Sequence, residues 1–118
     1  MKGVLLFGHG SRDPAWRAPI EAVAARIAAR PGAPAVRCAY LELCTPDFAS
    51  ASAELVALGV TELRVLPMFL GMGRHAREDL PALVRDLQAR CPALNILVLP
   101  PVGEHPDALD LFAAIAVL

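Results

Sequence analysis

Two histidines and one carboxylate are the first candidates for chemistry in this chain. His9 lies between two glycines, Glu42 interrupts an apolar segment, and His75 lies in a long segment that contains further glycines. Neutral imidazole is a common protein ligand for borderline metals such as cobalt, nickel, iron and zinc, and a carboxylate can bind a metal or accept a proton. These residue types therefore indicate divalent-metal chemistry or proton transfer.

Each of these residues also has a purely structural interpretation. His9 can be a turn residue, and Glu42 can be a solvated strand end. A third histidine, His105, precedes Pro106 at the expected start of the last helix, where capping or packing is the better explanation. We therefore keep His9, Glu42 and His75 as candidates and leave His105 out of the catalytic set.

The segment of residues 67–79, which contains His75, is long for a loop of a compact domain, and such loops are usually functional. Three of its apolar side chains are those of Phe69, Leu70 and Met72. They are predicted to contact a flat apolar ligand or a partner subunit, or to cover the core. Gly71 and Gly73 would permit hinge motion around His75.

Four short segments rich in Val and Leu alternate with four stretches of helical period. The predicted strands are residues 4–7, 36–41, 63–66 and 96–99, and the predicted helices are residues 16–27, 48–58, 80–87 and 107–117. Short continuous apolar strands are typical of parallel sheets buried on both faces. The pattern predicts an α/β fold with one domain at residues 1–118, a three-layer lobe whose four-stranded parallel sheet is flanked by helices.

Helix boundaries are predicted from capping residues. Asp13 and Thr45 each precede a proline suited to the first helical turn, so both are expected to cap helices. Gly32 and Gly59 are expected to end the first two helices.

The loops at the two edges of such a sheet differ in composition. Loops that lead from strand to helix carry the three histidines and Glu42, together with Ser11, Arg12 and Arg74, whereas loops that return from helix to strand carry no histidine. Ligands of open α/β sheets bind outside the carboxyl ends of the strands. The sequence therefore predicts a site at that edge.

Composition limits the classes of partner. Apolar residues make up 56% of the chain and charged residues 19%, which indicates a further buried surface such as a dimer interface. The net charge of −1 and the scattered arginines argue against nucleic acid, and the apolar stretches are too short to span a membrane.

The start of the chain opens directly into a strand without a signal pattern, and its three cysteines form no motif, so we expect a cytoplasmic protein with reduced thiols.

The residues around His9 argue against two enzyme classes. A dinucleotide fingerprint would need a third glycine where Asp13 stands, and its carboxylate would repel a pyrophosphate. The phosphohistidine enzymes place an arginine before the histidine, and Gly8 occupies that position here.

Four segments in order resemble the sirohydrochlorin cobaltochelatases of the short CbiX type, in the class II chelatase superfamily. They are His-Gly-Ser-Arg-Asp-Pro at 9–14; Tyr-Leu-Glu-Leu at 40–43 with Pro46; Pro-Met-Phe-Leu at 67–70; and Gly-Arg-His at 73–75 with Asp-Leu-Pro at 79–81. The resemblance covers nearly the whole chain and implies a chelatase-like fold. Larger members have two similar lobes with the site in the cleft between them, so a single lobe implies a homodimer.

The resemblance also implies an activity and roles for residues. The activity is lyase-type insertion of Co²⁺ into sirohydrochlorin, a carboxylate-rich tetrapyrrole, during cobalamin biosynthesis, without ATP and without a tightly bound cofactor. His9 and His75 match the metal-binding and catalytic histidines, and Glu42 matches the assisting acidic residue. Macrocycle contacts are expected from Ser11, Arg12, Phe69, Leu70, Gly71 and Arg74.

Three alternatives remain at this point. Imidazole and carboxylate suit Fe²⁺ and Ni²⁺ as well as Co²⁺, so the same tetrapyrrole could receive another metal. A non-catalytic metal carrier could use the same histidines, and it would bind metal without turning over a macrocycle. A histidine phosphatase is a more distant alternative.

Overall fold

Backbone hydrogen bonding joins the four apolar segments into one parallel sheet. The computed structural model describes all residues 1–118. Its strands are β1 (Lys2–Gly8), β2 (Ala35–Tyr40), β3 (Glu62–Pro67) and β4 (Asn95–Val98), in the order β2-β1-β3-β4. Every pairing is parallel, so the predicted four-stranded parallel sheet is confirmed.

Helices lie on both faces of this sheet. They are α1 (Pro14–Ala28), α2 (Phe48–Ala57), α3 (Arg74–Arg90) and α4 (Pro106–Ala116), with a short 3-10 helix at Val102–Glu104 before the last. Because alternate residues of a strand face opposite sides, β1 contributes Leu5 and Phe7 to the core under α2 and α3, and Leu6 to the smaller core under α1. The three-layer architecture predicted from the sequence is therefore present.

The start of α1 agrees with the prediction and the start of α2 does not. Asp13 caps α1 by accepting a hydrogen bond from the Ala15 backbone N–H at 3.0 Å. Thr45 was wrongly expected to cap α2, because the carbonyl of Pro46 instead accepts a hydrogen bond from Tyr40 at the end of β2. This contact holds the chain beside the strand, so the helix begins only after Asp47.

Gly59 ends α2 as expected, whereas Gly32 does not end α1. Gly59 comes directly after the capping residue Leu58 and has φ +103°, a left-handed conformation that ends a helix and is adopted most readily by glycine. The first helix already ends at Ala28 with Ala29 as its cap, and Gly32, with φ +66°, lies further along in the turn that leads to β2.

The third helix starts earlier than its period predicts. It was expected from Leu80, but α3 begins at Arg74, so His75 lies in the first helical turn and the preceding loop spans only residues 68–73. Ala76 and Leu80 are both buried and stand one turn apart on the same face. The charged residues between Ala76 and Leu80 hide this helical period in the sequence. The predicted start of the helix was therefore wrong.

No helix of the structure is both long and apolar enough to cross a membrane. Cys38, Cys44 and Cys91 form no disulfide bond with one another in the structure.

Asp47→Ala is expected to lower the free energy of unfolding by about 1 kcal/mol, since Asp47 accepts the Ser50 backbone N–H at 2.8 Å and caps α2. Urea unfolding measures this change. The matched control is Asp86→Ala, an exposed carboxylate inside α3. An equal loss in both variants would contradict the capping role.

The effect of Asp47 is also expected to depend on pH. The Ser50 backbone hydrogen bond lowers the pKa of the Asp47 carboxyl in the folded state. The ionised Asp47 carboxylate therefore makes its full contribution to the free energy of unfolding above the ordinary Asp pKa of about 3.9. This contribution disappears as the pH falls through the lowered pKa of the folded state. In acid titrations of stability, the difference between the native protein and Asp47→Ala should vanish at low pH. A difference that persists there would show that the charge is irrelevant.

Candidate active site

The candidate residues lie at the carboxyl edge of the sheet, around the point where the strand order reverses. From β1 the chain crosses to β2 on one side, and from β2 it crosses back to β3 on the other. His9 follows β1, Glu42 follows β2, and the loop at residues 68–73 follows β3. In open α/β sheets ligands bind at this switch point, and the candidate residues lie at the edge where the sequence predicts them.

Backbone hydrogen bonds continue the pairing of β1 and β2 past the strand ends. The Leu41 N–H donates to the Gly8 carbonyl at 2.9 Å, and the Glu42 N–H donates to the His9 carbonyl at 3.1 Å. These bonds hold the two candidate residues side by side. Their side chains meet, with His9 Nε2 and Glu42 Oε1 3.8 Å apart.

Gly10 makes this arrangement possible. Its φ is +101°, and a Cβ at this position would collide with the backbone carbonyl of Glu42. Only glycine therefore permits the loop after β1 to lie against the loop after β2. The close backbone approach explains why a glycine follows His9.

The pair of His9 and Glu42 has the geometry of a shared, open metal ligand set. Ligand nitrogen and oxygen atoms lie about 2.1 Å from ions such as Zn²⁺, so two donors less than about 4.2 Å apart can contact one ion. The 3.8 Å separation meets this condition. The side chains are 48% and 56% exposed, so an ion between them would keep further coordination positions open.

His75 does not complete a metal centre with this pair. Its side chain is exposed in the first turn of α3 and makes no hydrogen bond or ion pair within the chain. No group of three or more His, Cys, Asp or Glu side chains converges as a metal site anywhere in the chain. Within this chain, the two donors of His9 and Glu42 therefore lie together, and His75 lies apart from them.

The start of α3 has free hydrogen-bond donors. Gly73 stands at its N-terminal cap without a side-chain cap, so backbone N–H groups of the first turn remain available to a ligand. Such groups favour anions. Arg74 adds a guanidinium group there, 83% exposed and paired with Glu78 at 3.2 Å.

The residues expected to contact a macrocycle differ in exposure. Phe69 is half-buried, with its ring 6.2 Å from that of Phe7, so it also covers the core. Leu70 is 74% exposed, and Gly71 is open to solvent. Of the apolar residues in this loop, Leu70 is the one most available to a flat ligand.

Ser11 and Arg12 lie on the loop after β1. The Ser11 hydroxyl oxygen accepts the Asp13 backbone N–H at 3.1 Å, which shapes the turn into α1, and Arg12 is exposed. Arg12 is therefore free to pair with a carboxylate of a ligand.

Gly103, which the sequence analysis did not single out, fixes the loop after β3. Its N–H donates to the Phe69 carbonyl at 2.9 Å, and a Cβ on it would collide with the backbone of Leu70. The only sequence feature that could have indicated this role is a glycine in a strand-to-helix loop, beside Glu104. Because Gly103 contacts a loop that is far away in sequence, the sequence alone did not reveal the contact.

His105 has the structural role expected of it. Its Nδ1 accepts the Asp107 backbone N–H at 3.1 Å at the start of α4. It remains outside the candidate set.

Buried Tyr40 and half-buried Cys38, near the end of β2, stay protonated at neutral pH. Burial, with smaller contributions from neighbouring acidic groups, raises the pKa of Tyr40 to about 12, and burial likewise raises the pKa of the Cys38 thiol. Both belong to or border the core under α1 and provide no charge to the site.

Comparisons with known proteins match almost the whole chain. The family model described as CbiX matches residues 3–116. The chloroplastic sirohydrochlorin ferrochelatase of Arabidopsis thaliana is 31% identical over 92% of this chain and 48% of its own length. The sirohydrochlorin cobaltochelatase of Methanosarcina acetivorans is 32% identical over 80% of this chain and 72% of its own length.

A solved structure agrees with these sequences. The CbiX protein of cobalamin biosynthesis from Marinobacter aquaeolei VT8 superposes with a TM-score of 0.81 and 30% identity, covering 99% of this chain and 94% of that one. The present chain therefore corresponds in size to this structure and spans about half the length of the plant relative.

Gly10→Ala is expected to lower the free energy of unfolding by about 2 to 3 kcal/mol, because it introduces both an unfavourable φ and a backbone collision. Chemical denaturation measures this loss. Gly71→Ala is the matched control, since a Cβ there meets nothing within 4 Å. A Gly10→Ala protein as stable as the control would contradict the close approach of the two loops.

Proposed function

The chain belongs to the CbiX family, and from this premise we propose that it is a sirohydrochlorin chelatase that inserts Co²⁺ without ATP. The observation that carries the proposal is the pair of His9 and Glu42, 3.8 Å apart at the switch point of the sheet. Family membership supports the reaction class, and the pair supports transient metal binding.

The chemistry requires a metal donor and a proton acceptor at one place. Insertion of a divalent ion into a free tetrapyrrole releases two pyrrole protons for each metal bound. In our proposal the His9 imidazole and the Glu42 carboxylate hold Co²⁺ at their exposed edge. Once the ion passes to the ring nitrogens, the same two groups are free to accept the protons.

The remaining candidate residues would orient the macrocycle. Leu70 is exposed for contact with its flat face, and Arg12 and the first turn of α3 with Arg74 offer positive charge to its carboxylates. His75, in that same turn, would act as a second metal ligand or proton acceptor. Orientation of this kind lowers the barrier by holding the reactants in place.

The number of metal donors favours a chelatase over a metal carrier. A carrier that retains its ion needs a closed ligand set, and structural metal sites have four ligands. This chain brings together two, both about half exposed. Such a site suits an ion that must be released to a substrate.

We also propose Co²⁺ as the metal, the homodimer as the working assembly and the cytoplasm as its location. The relative from Methanosarcina acetivorans, named as a cobaltochelatase, is covered to 72% of its length, which supports cobalt, whereas the plant relative is named as a ferrochelatase. One lobe with an open site edge supports pairing with a second lobe. Three unpaired cysteines support a reducing compartment.

His9→Ala and His75→Ala are each expected to reduce the initial rate of Co²⁺ insertion into sirohydrochlorin by about 100-fold or more, because each removes a metal donor or proton acceptor. Glu42→Gln keeps the shape of the side chain and should reduce the rate by a smaller factor. The absorbance of the tetrapyrrole follows the reaction, and parallel assays with Fe²⁺ and Ni²⁺ determine the metal preference.

The control is His105→Asn, which removes the third imidazole of the same edge and retains a side chain able to cap α4. It should insert Co²⁺ at the native rate. If the native protein binds Co²⁺ but does not accelerate insertion over the uncatalysed rate, the chain is a carrier and the chelatase proposal is wrong.

A further inference from the structure

Three large apolar side chains are exposed at the sheet edge that carries the site. Trp16 lies in the first turn of α1 after β1, Leu43 in the loop after β2, and Leu70 in the loop after β3, and they are 42, 51 and 74% exposed. Leu70 is already a candidate contact, whereas Trp16 and Leu43 have no role in the activity proposed above. Apolar side chains exposed around a polar pair indicate a surface that a ligand covers.

The packing of α1 places Trp16 beyond the end of β1. Ile20 lies against Gly8, the last residue of that strand, so closely that a Cβ on Gly8 would stand 2.6 Å from the Ile20 Cδ1 atom. Trp16 precedes Ile20 by one helical turn on the same face of α1. Because α1 runs back from the carboxyl edge, Trp16 lies about 5 Å further out than Ile20, at the level of the loop of residues 9–13.

Hydrogen bonds fix the connection between that loop and Trp16. The Asp13 N–H donates to the Ser11 hydroxyl oxygen at 3.1 Å, and the Trp16 N–H donates to the Asp13 carbonyl at 3.1 Å. The Asp13 carboxylate also caps the helix by accepting the Ala15 N–H. The helix start that carries the indole is therefore fixed before a ligand binds, which lowers the entropic cost of the contact.

Leu43 is exposed in an unfavourable backbone conformation. Its φ is +69°, in the left-handed region, and it is the only non-glycine residue of the chain with a positive φ. Asparagine and glycine adopt this conformation more readily than leucine. The strain is not offset by burial, because the side chain is about half exposed beside Glu42. Strain at an exposed residue next to a site indicates a role in ligand binding.

Arginines flank this apolar surface. Arg12 lies between His9 and Trp16 in the sequence and is exposed, and Arg74 is exposed in the first turn of α3. Because α1 and α3 pack on opposite faces of the sheet, the arginine before α1 and the arginine at the start of α3 approach the edge from its two sides. A flat apolar ligand with carboxylates on its rim is complementary to this arrangement.

We propose that Trp16 and Leu43 bind the apolar face of the tetrapyrrole, with the indole of Trp16 stacked on the conjugated ring and Leu43 in contact with it next to Glu42. This inference rests on the proposed function, since it assigns binding residues to the same substrate. Neither side chain carries a group that ligates a metal or accepts a proton, so both act on binding alone. Their contacts hold the macrocycle over His9 and Glu42 while the metal is transferred.

Titration of metal-free sirohydrochlorin, followed by the emission of the tetrapyrrole, tests the assignment. Trp16→Leu should raise the Kd about 10-fold, because leucine keeps an apolar side chain but offers no aromatic face, and Trp16→Phe should retain a Kd within about 3-fold of the native value. The matched control is Leu58→Ala, which removes an exposed apolar side chain at the end of α2, on the opposite edge of the sheet. It should leave the Kd unchanged.

Leu43→Asn separates binding from folding. Because asparagine tolerates a left-handed backbone better than leucine, this variant should be at least as stable as the native protein in urea. It should nevertheless raise the Kd for sirohydrochlorin about 5-fold, because it removes the apolar contact. A variant that loses stability and affinity together would show that Leu43 supports the fold and does not bind the ligand.

The single tryptophan of the chain gives a direct test of stacking. With 5-fluorotryptophan at position 16, saturating sirohydrochlorin should move the one ¹⁹F resonance upfield, because a nucleus above the face of a conjugated macrocycle lies in its ring current. In turnover assays, Trp16→Leu should raise the KM for the tetrapyrrole and leave kcat and the KM for Co²⁺ within about 2-fold of the native values. A resonance that stays in place, or equal affinities of Trp16→Leu and the native protein, would overturn the inference.

Failure of this inference and failure of the proposed function give different results. A native protein that binds sirohydrochlorin through Trp16 but inserts no metal would disprove the chelatase and leave the binding residues standing. Metal insertion by Trp16→Leu with an unchanged Kd and KM would disprove the assignment of Trp16 and leave the chelatase standing.

Discussion

The close approach of the Gly10 backbone to the Glu42 carbonyl is the constraint on which the site depends. It allows the loops after β1 and β2 to continue the strand pairing, through hydrogen bonds from Leu41 and Glu42 to the carbonyls of Gly8 and His9. The imidazole and the carboxylate come from distant parts of the sequence. They meet because two backbones are locked in register, and this register exists only with glycine at position 10.

The ion pair of His9 and Glu42 contributes little to the stability of the fold, so these side chains can take part in chemistry without being needed for folding. An exposed ion pair contributes at most about 1 kcal/mol, and His9 and Glu42 are each about half exposed. Burial of one large apolar side chain such as Leu5 or Phe7 contributes about 1.5 to 3 kcal/mol. The sheet is therefore held by its cores, and the two polar side chains at its edge are available for a ligand.

Much of the fold could be predicted from the sequence because its signals are local. The buried strands are short apolar segments, and Asp13 stands directly before the helix that it caps. Parallel strands also place the loops that follow them at one edge of the sheet. The start of α3 was missed because charged residues interrupt its short buried face, and Thr45 was wrongly chosen because Pro46 bonds to Tyr40 across the chain. The role of Gly103 and the uncovered surface of α4 depend on tertiary contacts, which no local pattern encodes.

The spatial arrangement of the candidate residues could be predicted only in part. His9 and Glu42 are neighbours because their strands are neighbours, whereas His75 was placed on the correct edge but does not join them in a group of metal ligands. Within this chain two metal donors lie together, and the last helix leaves its large apolar side chains exposed.

In the proposed function, His9 and Glu42 act as one unit on the incoming metal. A double-mutant cycle on the rate of Co²⁺ insertion tests it most directly, with His9→Ala, Glu42→Gln and the double variant compared with the native protein. Residues that act as a unit are non-additive, so the double variant should be no slower than His9→Ala alone. If the two losses instead multiply, the residues act independently and the shared metal site is contradicted.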